Sequence, residues 1–203
     1  MDLTDGVTVR LSSLCLDAGG RLRDYALWDA AARGALLVDL ARTDRLTQEE
    51  DSVVVDSTPT GFAPADRLLG AIGVEPERSF DWWLDHGAVR MVDIAEANVA
   101  SGRWSPRRRL WGRRYGDASQ VTAADRALGA GPPDAEVPID TAAVLVLARA
   151  CGATGLPVSV TEAELARTGP LRWICVAVTD HLAVAHQRNA LAAGSLAMGG
   201  PGF

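Results

Sequence analysis

The chain has 203 residues, 48% of them hydrophobic, and a formal charge of −6 at pH 7. That length and apolar content suit one globular unit with a substantial core, and no Pro/Ser-rich linker divides it. The three scattered cysteines, Cys15, Cys151 and Cys175, support neither a disulfide framework nor a zinc finger and read as buried fillers in a reducing compartment, while the most apolar runs fall far short of the roughly 20 residues that span a bilayer.

The first strong signal in chain order is a helix. Ala31, Gly34, Leu36, Leu37, Leu40 and Ala41 recur at helical spacing, and the β-branched run Val53 to Val55 follows between polar residues, so the segment reads as a buried helix entering a hairpin. Glu49-Glu50-Asp51 forms an acidic hairpin tip, and Pro59-Thr60-Gly61 a turn. A second helix is expected from about Val89 to Ser101, stopped by Gly102 and followed by a second hairpin over 103–116. Val121 to Leu128 is a short amphipathic helix ending at the breaker Gly129-Ala130-Gly131-Pro132-Pro133. Asp140-Thr141 is the expected N-cap of an apolar helix through Ala150 that stops at Gly152. Thr161-Glu162-Ala163-Glu164 is a capping box for a further short helix. The last helix is expected over about Leu171 to Ala192, with Ile174, Val178, Leu182 and Ala185 along one stripe, and 193–203 as a frayed tail. The fold class is therefore mostly α: a single globular helical domain over 1–192 with one or two β-hairpins as wings.

Charge is distributed unevenly. All twenty basic residues are arginine, and Arg103, Arg107, Arg108, Arg109, Arg113 and Arg114 fall within twelve residues that contain no acid. With the whole chain at −6, the remainder carries −12. Trp104, Leu110, Trp111 and Tyr115 interleave with those arginines. Planar guanidinium groups beside aromatic rings on a projecting hairpin suit a lipid headgroup interface, and they suit nucleic-acid phosphate equally. The plainer alternative is a solvated hairpin whose rings pack inward and whose arginines pair with acidic neighbours.

Catalytic constellations are weak. His181 and His186 are five residues apart, which on a helix separates them by about 140° and defeats joint metal capture. There is no Gly-rich phosphate loop, no nucleophile elbow and no aspartate pair suited to magnesium. No catalytic residue, metal or cofactor is expected, and the protein reads as non-enzymatic.

The order of parts, an Arg-Gly on a helix (Arg33-Gly34), an acidic Leu-rich end, a charged hairpin and a Pro-Thr-Gly, resembles the Golgi phosphoprotein 3 family, as a bacterial member. Asp66-Arg67-Leu68-Leu69 sits where the family has an acidic, leucine-containing helix. Ser79-Phe80-Asp81-Trp82-Trp83-Leu84 is similar to its tryptophan-bearing helix, and Ala97 to Gly102 to the end of the helix before its second hairpin. The resemblance covers roughly residues 20–190. It implies a peripheral adaptor that binds phosphatidylinositol 4-phosphate in a basic pocket, holds glycosyltransferases by their tails, and self-associates through a hairpin. Carried over residue by residue, the pocket arginine matches Arg33, and Trp28 is the approximate counterpart of the pocket tryptophan. The family's two arginines before the second hairpin fall near Arg90 and Met91 to Asp93, so at most one is retained, and Asp93 and Glu96 beside it would repel phosphate.

Three functions compete. The leading one is a cytoplasmic protein, peripheral at the inner membrane face, that binds an anionic phospholipid headgroup or phosphorylated ligand through Trp28, Arg33, Arg90, Arg107, Arg108 and Arg109, with a homodimer formed through the 103–116 hairpin. The second is a winged-helix nucleic-acid binder, suggested by the recurrence of helix plus hairpin at 24–56 and 88–116, against which the sequence pI near 5.0 counts. The third is a small-molecule binder or noncanonical biosynthetic enzyme using the cleft between the Arg33 helix and the Trp82-Trp83 helix.

Overall fold

The computed structural model describes residues 3–22, 26–50, 52–108, 113–117, 119–129, 136–153 and 158–198. Among them the chain forms nine α-helices and two separate two-stranded antiparallel sheets. The expected mostly-α fold with hairpin wings is what the chain adopts.

The centre is α2, Ala26–Arg42, in which every residue from Ala30 to Leu40 is buried. A helix buried on all sides needs small residues where its neighbours come closest. Gly34 provides that against α9, Arg172–Met198: a Cβ there would lie 2.3 Å from Val178 Cγ1. Around α2 pack α1, Val7–Leu14; α7, Ile139–Ala150; α3, Ala63–Val74; and α4, Phe80–His86.

One polar device secures this arrangement. The N-cap of α1 is Gly6, which has no side chain to satisfy the first N–H groups. Asp39 of α2 supplies the missing carboxylate, accepting from Val7 N and Thr8 N at 2.8 Å each, and it also pairs with Arg42 Nε at 3.2 Å. The helix start is thereby capped from another helix. Burial pushes the Asp39 carboxyl above its ordinary range, against the lowering effect of these partners.

Each hairpin follows a helix. After α2, β1 (Leu46–Glu49) pairs with β2 (Ser52–Val55), with Glu49 opposite Ser52. Thr60 N (2.5 Å), Thr60 Oγ1 (2.7 Å) and Gly61 N (3.2 Å) all donate to Asp66, fastening the Pro-Thr-Gly turn to α3. After α5, Met91–Ala100, Gly102 turns the chain at φ +76° into β3 (Trp104–Arg108), which pairs with β4 (Arg113–Asp117). Residues 109–112, between β3 and β4 in the chain, lie outside the described residues.

Several helix boundaries differ from the sequence expectation. Helix α7 begins at Ile139 with Pro138 as its cap, two residues before Thr141, because Asp140 sits in the first turn and is engaged by Arg42 at 3.1 Å. Helix α6 covers Gln120–Gly129, one residue beyond the expected segment at each end. Helix α9 continues to Met198, past the expected stop near Ala192, while 199–203 lie outside the described residues. The capping box at Thr161 and Glu164 forms as the sequence indicates and opens α8, Glu162–Ala166.

Candidate anion-binding face

The candidate residues fall into an interior group and a surface group. Trp28 is half-buried, and its indole N–H donates to the Cys151 carbonyl at 3.2 Å. Arg33 is 6% exposed. Its Nε donates to Leu84 O at 2.7 Å, Nη1 to Val89 O at 2.9 Å and Gly87 O at 3.4 Å, and Nη2 to Asp85 O at 3.4 Å. The guanidinium thus gathers the carbonyls at the end of α4 and the loop after it, where those groups lack helical partners. Burial lowers the Arg33 pKa from its ordinary value, opposed by the nearby Asp29 and Asp85 carboxylates. Gly87 is required beside it: a Cβ would sit 2.4 Å from Arg33 Cδ and 2.6 Å from Trp83 O.

Arg90, by contrast, is exposed. It follows directly on Val89, whose carbonyl Arg33 holds, and it is the N-cap residue of α5, with its backbone N–H donating to Asp93 Oδ2 at 2.7 Å. Arg33 therefore positions the segment that presents Arg90.

The hairpin adds the remaining arginines. On its inner face Trp104 (2% exposed) and Tyr115 (6%) pack together, ring centroids 5.2 Å apart, over Leu16 and Ala95. The Trp104 indole donates to Ser13 Oγ at 3.1 Å. The aromatic pair is thus an anchor to α1 and α5, as the inward-packing alternative anticipates for these two rings. Trp111, Leu110 and Arg109 lie outside the described residues.

Register then sets like charges opposite one another. Arg107 faces Arg114 and Arg108 faces Arg113 across the strands, an arrangement that opposes pairing. Arg114 Nη1 donates to Gly19 O at 3.0 Å, and Arg113, 72% exposed, pairs with Glu96 at 2.7 Å. Among the described residues, exposed Arg107 and exposed Arg90 pair with no carboxylate. Because Arg113 reaches Glu96, the hairpin lies back along α5, and Arg90 stands six residues, about 9 Å of helix, further along that axis. Asp93 and Glu96, which would repel phosphate if free, are engaged by Arg67 (3.1 Å) and Arg113.

A second constellation has no counterpart in the sequence expectation. The ring nitrogens of His181 on α9 lie 2.8 Å from Asp81 Oδ1 and 3.1 Å from Asp85 Oδ1 on α4. The spacing of Asp81 and Asp85, one helical turn, was the available signal. This clamp and Arg33 hold α4 from two sides. The α2–α4 interface is packed, with Trp83 and Leu84 buried beside Arg33. Two clefts with described linings lie elsewhere: about 280 Å³ between α1, the second hairpin and α6, and about 370 Å³ beside Arg42 and Arg45. No His/Cys/Asp/Glu group able to hold a metal ion occurs among the described residues, and no described helix is long and apolar enough to cross a membrane.

Comparison with protein families gives one match: the Golgi phosphoprotein 3 (GPP34) family, over residues 14–193. The chain belongs to the Golgi phosphoprotein 3 family. The match covers both helix–hairpin modules and most of α9, and it begins at the end of α1, so it rests on most of the described fold rather than one motif. No curated protein matches the chain.

Proposed function

We propose that this Golgi phosphoprotein 3 family member is a peripheral adaptor that docks on anionic, phosphate-bearing lipid headgroups at the inner membrane face through α5 and the β3–β4 hairpin. One observation carries the reading: the register sets Arg107 against Arg114 on the face opposite the Trp104–Tyr115 anchor, with Arg107 exposed. A like-charge pair directly opposite weakens the hairpin unless an anion lies across it, and guanidinium forks match phosphate oxygens in pairs. Arg90 adds to this basic surface, while Arg33 positions Arg90 and Trp28 braces the interior. The acids of α5 do not oppose this, because arginines already engage them. The basic pocket here is thus a face, suited to acidic lipid in general more than to one phosphoinositide. The hairpin is also the surface proposed for self-association.

Co-flotation tests it, with vesicles of phosphatidylcholine alone, with phosphatidylglycerol or cardiolipin, and with phosphatidylinositol 4-phosphate, each at low and high salt. Expected is salt-weakened binding to every acidic mixture, lost on joint replacement of Arg107, Arg108 and Arg109 by Ser. Absence of binding to all acidic vesicles overturns the reading. DNA retardation with the same arginine dependence, in place of vesicle binding, would establish the winged-helix alternative.

A further inference from the structure

The cleft of about 370 Å³ at the C-terminal end of α2 shares no residue with the basic face. Its wall forms where α2 stops. Arg45 N donates to Leu40 O at 2.8 Å and Asp44 N to Ala41 O at 3.1 Å, a pair of bonds that ends the helix and puts Asp44 in the left-handed region at φ +57°. Glycine suits that position best, so the turn itself does not call for an aspartate. The Asp44 carboxylate is exposed, and no hydrogen bond or ion pair engages it among the described residues. Arg42, the last residue of α2, lines the same cleft with its side chain 8% exposed. Its Nε donates to Asp39 at 3.2 Å and its Nη1 to Asp140 at 3.1 Å. Nη2 is buried and has no partner among the described residues. A guanidinium held at two corners by carboxylates cannot turn to satisfy the third, and a buried N–H left unpaired is costly, so a ligand oxygen accepting there makes a bond the fold leaves unmade.

Charge decides what kind of oxygen that is. Arg42 is balanced by Asp39 and Asp140, Arg45 is balanced by Asp56, and Asp44 is left over. The surroundings are acidic on balance and repel a phosphate or carboxylate. The lining hydroxyls are committed as donors, Thr43 Oγ1 to Asp39 O at 2.9 Å and Thr60 Oγ1 to Asp66 Oδ1 at 2.7 Å, so each offers a ligand only its capacity to accept. A buried donor, three acceptor groups and the carbons of Leu3 and Pro59 match a ligand that carries several O–H groups on a C–H frame and no charge.

We propose that this cleft binds a neutral polyhydroxyl ligand of monosaccharide size, with one hydroxyl oxygen accepting from Arg42 Nη2 and a neighbouring hydroxyl donating to Asp44. Adjacent hydroxyls meet both demands at once, because each oxygen both donates and accepts. A volume near 370 Å³ lies at the small end for ligand pockets, which suits one sugar ring better than a chain of them. The same chemistry is carried by a free sugar and by the sugar headgroup of a neutral glycolipid.

The test titrates the nitrogen-15-labelled full-length chain with D-glucose, D-galactose and D-mannose, and with sodium phosphate as the anionic control, following the Thr43 and Asp44 amides and the Arg42 Nε–H by NMR. Expected are saturable shifts at these groups with at least one sugar and none with phosphate; saturation separates binding from the general exclusion of sugars from protein surfaces. Asp44→Gly keeps the turn, because glycine suits φ +57°. It should leave the melting temperature unchanged or higher while weakening sugar binding about tenfold. Arg42→Gln should weaken it as well; should that variant unfold through the loss of the Asp39 partner, Asp44→Gly decides alone. Co-flotation with phosphatidylcholine vesicles carrying a neutral monoglycosyl diacylglycerol separates the sources. Flotation that Asp44→Gly abolishes supports the site with a lipid headgroup as ligand, and saturable sugar binding without flotation supports it with a free sugar. No saturable shift with any of the three sugars, shifts produced by phosphate instead, or sugar binding that Asp44→Gly leaves unchanged would each overturn the proposal.

Discussion

The molecule contains the same local plan twice, a helix running into a two-stranded hairpin, with opposite electrostatics. In the first, α2 with β1–β2, an Arg45–Asp56 ion pair closes the base, so cation meets anion, and no two arginines face one another across the strands. In the second, α5 with β3–β4, arginine faces arginine twice. Burial differs as well. Leu46 is the buried residue of the first hairpin, whereas the second is seated by Trp104 and Tyr115. A hairpin whose strands repel must be held from below, and the aromatic anchor does that. The first module is thus balanced within itself; the second is balanced by packing, which leaves its charge available.

The strongest way to break this contrast is Trp104→Ala. It removes the anchor and the bond to Ser13, at an expected cost of about 4 kcal/mol in denaturant unfolding; a loss under 1 kcal/mol would mean the hairpin is held otherwise. Next is Arg33→Met, which frees the carbonyls of residues 84–89 from the helix of the first module. A loss of about 2 kcal/mol is expected, together with weaker acidic-vesicle binding through displaced Arg90, and Arg90→Ser should reproduce the second effect without the first. The third sharpens the contrast by reversing a sign. Arg107→Glu places opposite charges across from Arg114 and is expected to stabilise the fold by about 0.5 kcal/mol while vesicle binding falls, so stability and binding move in opposite directions. The smallest effect concerns Asp56, whose carboxyl is held below its usual range by Thr58 and Arg45. A depressed folded pKa gives stability present at neutral pH and lost as pH falls through the carboxylate range. Asp56→Asn should therefore lower stability at pH 7, with the difference vanishing in acid, a comparison that thermal melts at several pH values decide.

Much of this was legible in the chain. The apolar spacing of Leu36, Leu37 and Leu40 revealed α2 because a buried helix writes its faces into its own sequence, and Thr161 with Glu164 marked α8 because both cap partners lie in one turn. What escaped notice depends on distant partners. Asp39 caps a helix 31 and 32 residues earlier, and Asp140, read as an N-cap, is drawn into the first turn by Arg42, 98 residues away. Arg33 was found through its Arg-Gly motif, but its geometry was not, since backbone carbonyls leave no mark in a sequence. Likewise His181 was weighed only against another histidine, while its partners were two aspartates on α4. The charge of the second hairpin was plain from composition; that its arginines face each other required the register.

The turn after α1 has a further effect on how this hairpin can meet other chains. Tyr115 donates its backbone N–H outward to Gly20 O at 2.7 Å, with Gly20 at φ +73°, where a Cβ would lie 2.1 Å from the Tyr115 carbonyl. The β4 edge is therefore occupied. Since Tyr115 points its N–H away from β3, it and its cross-strand neighbour Pro106 form a non-hydrogen-bonded pair, so the position opposite turns its own amide toward the free edge. That amide belongs to a proline, which has no hydrogen to offer. One side of the sheet is filled and the other is missing a donor in mid-strand, so ladder extension by a second copy is disfavoured on both sides, and any pairing of subunits here must run through side chains on the sheet's face.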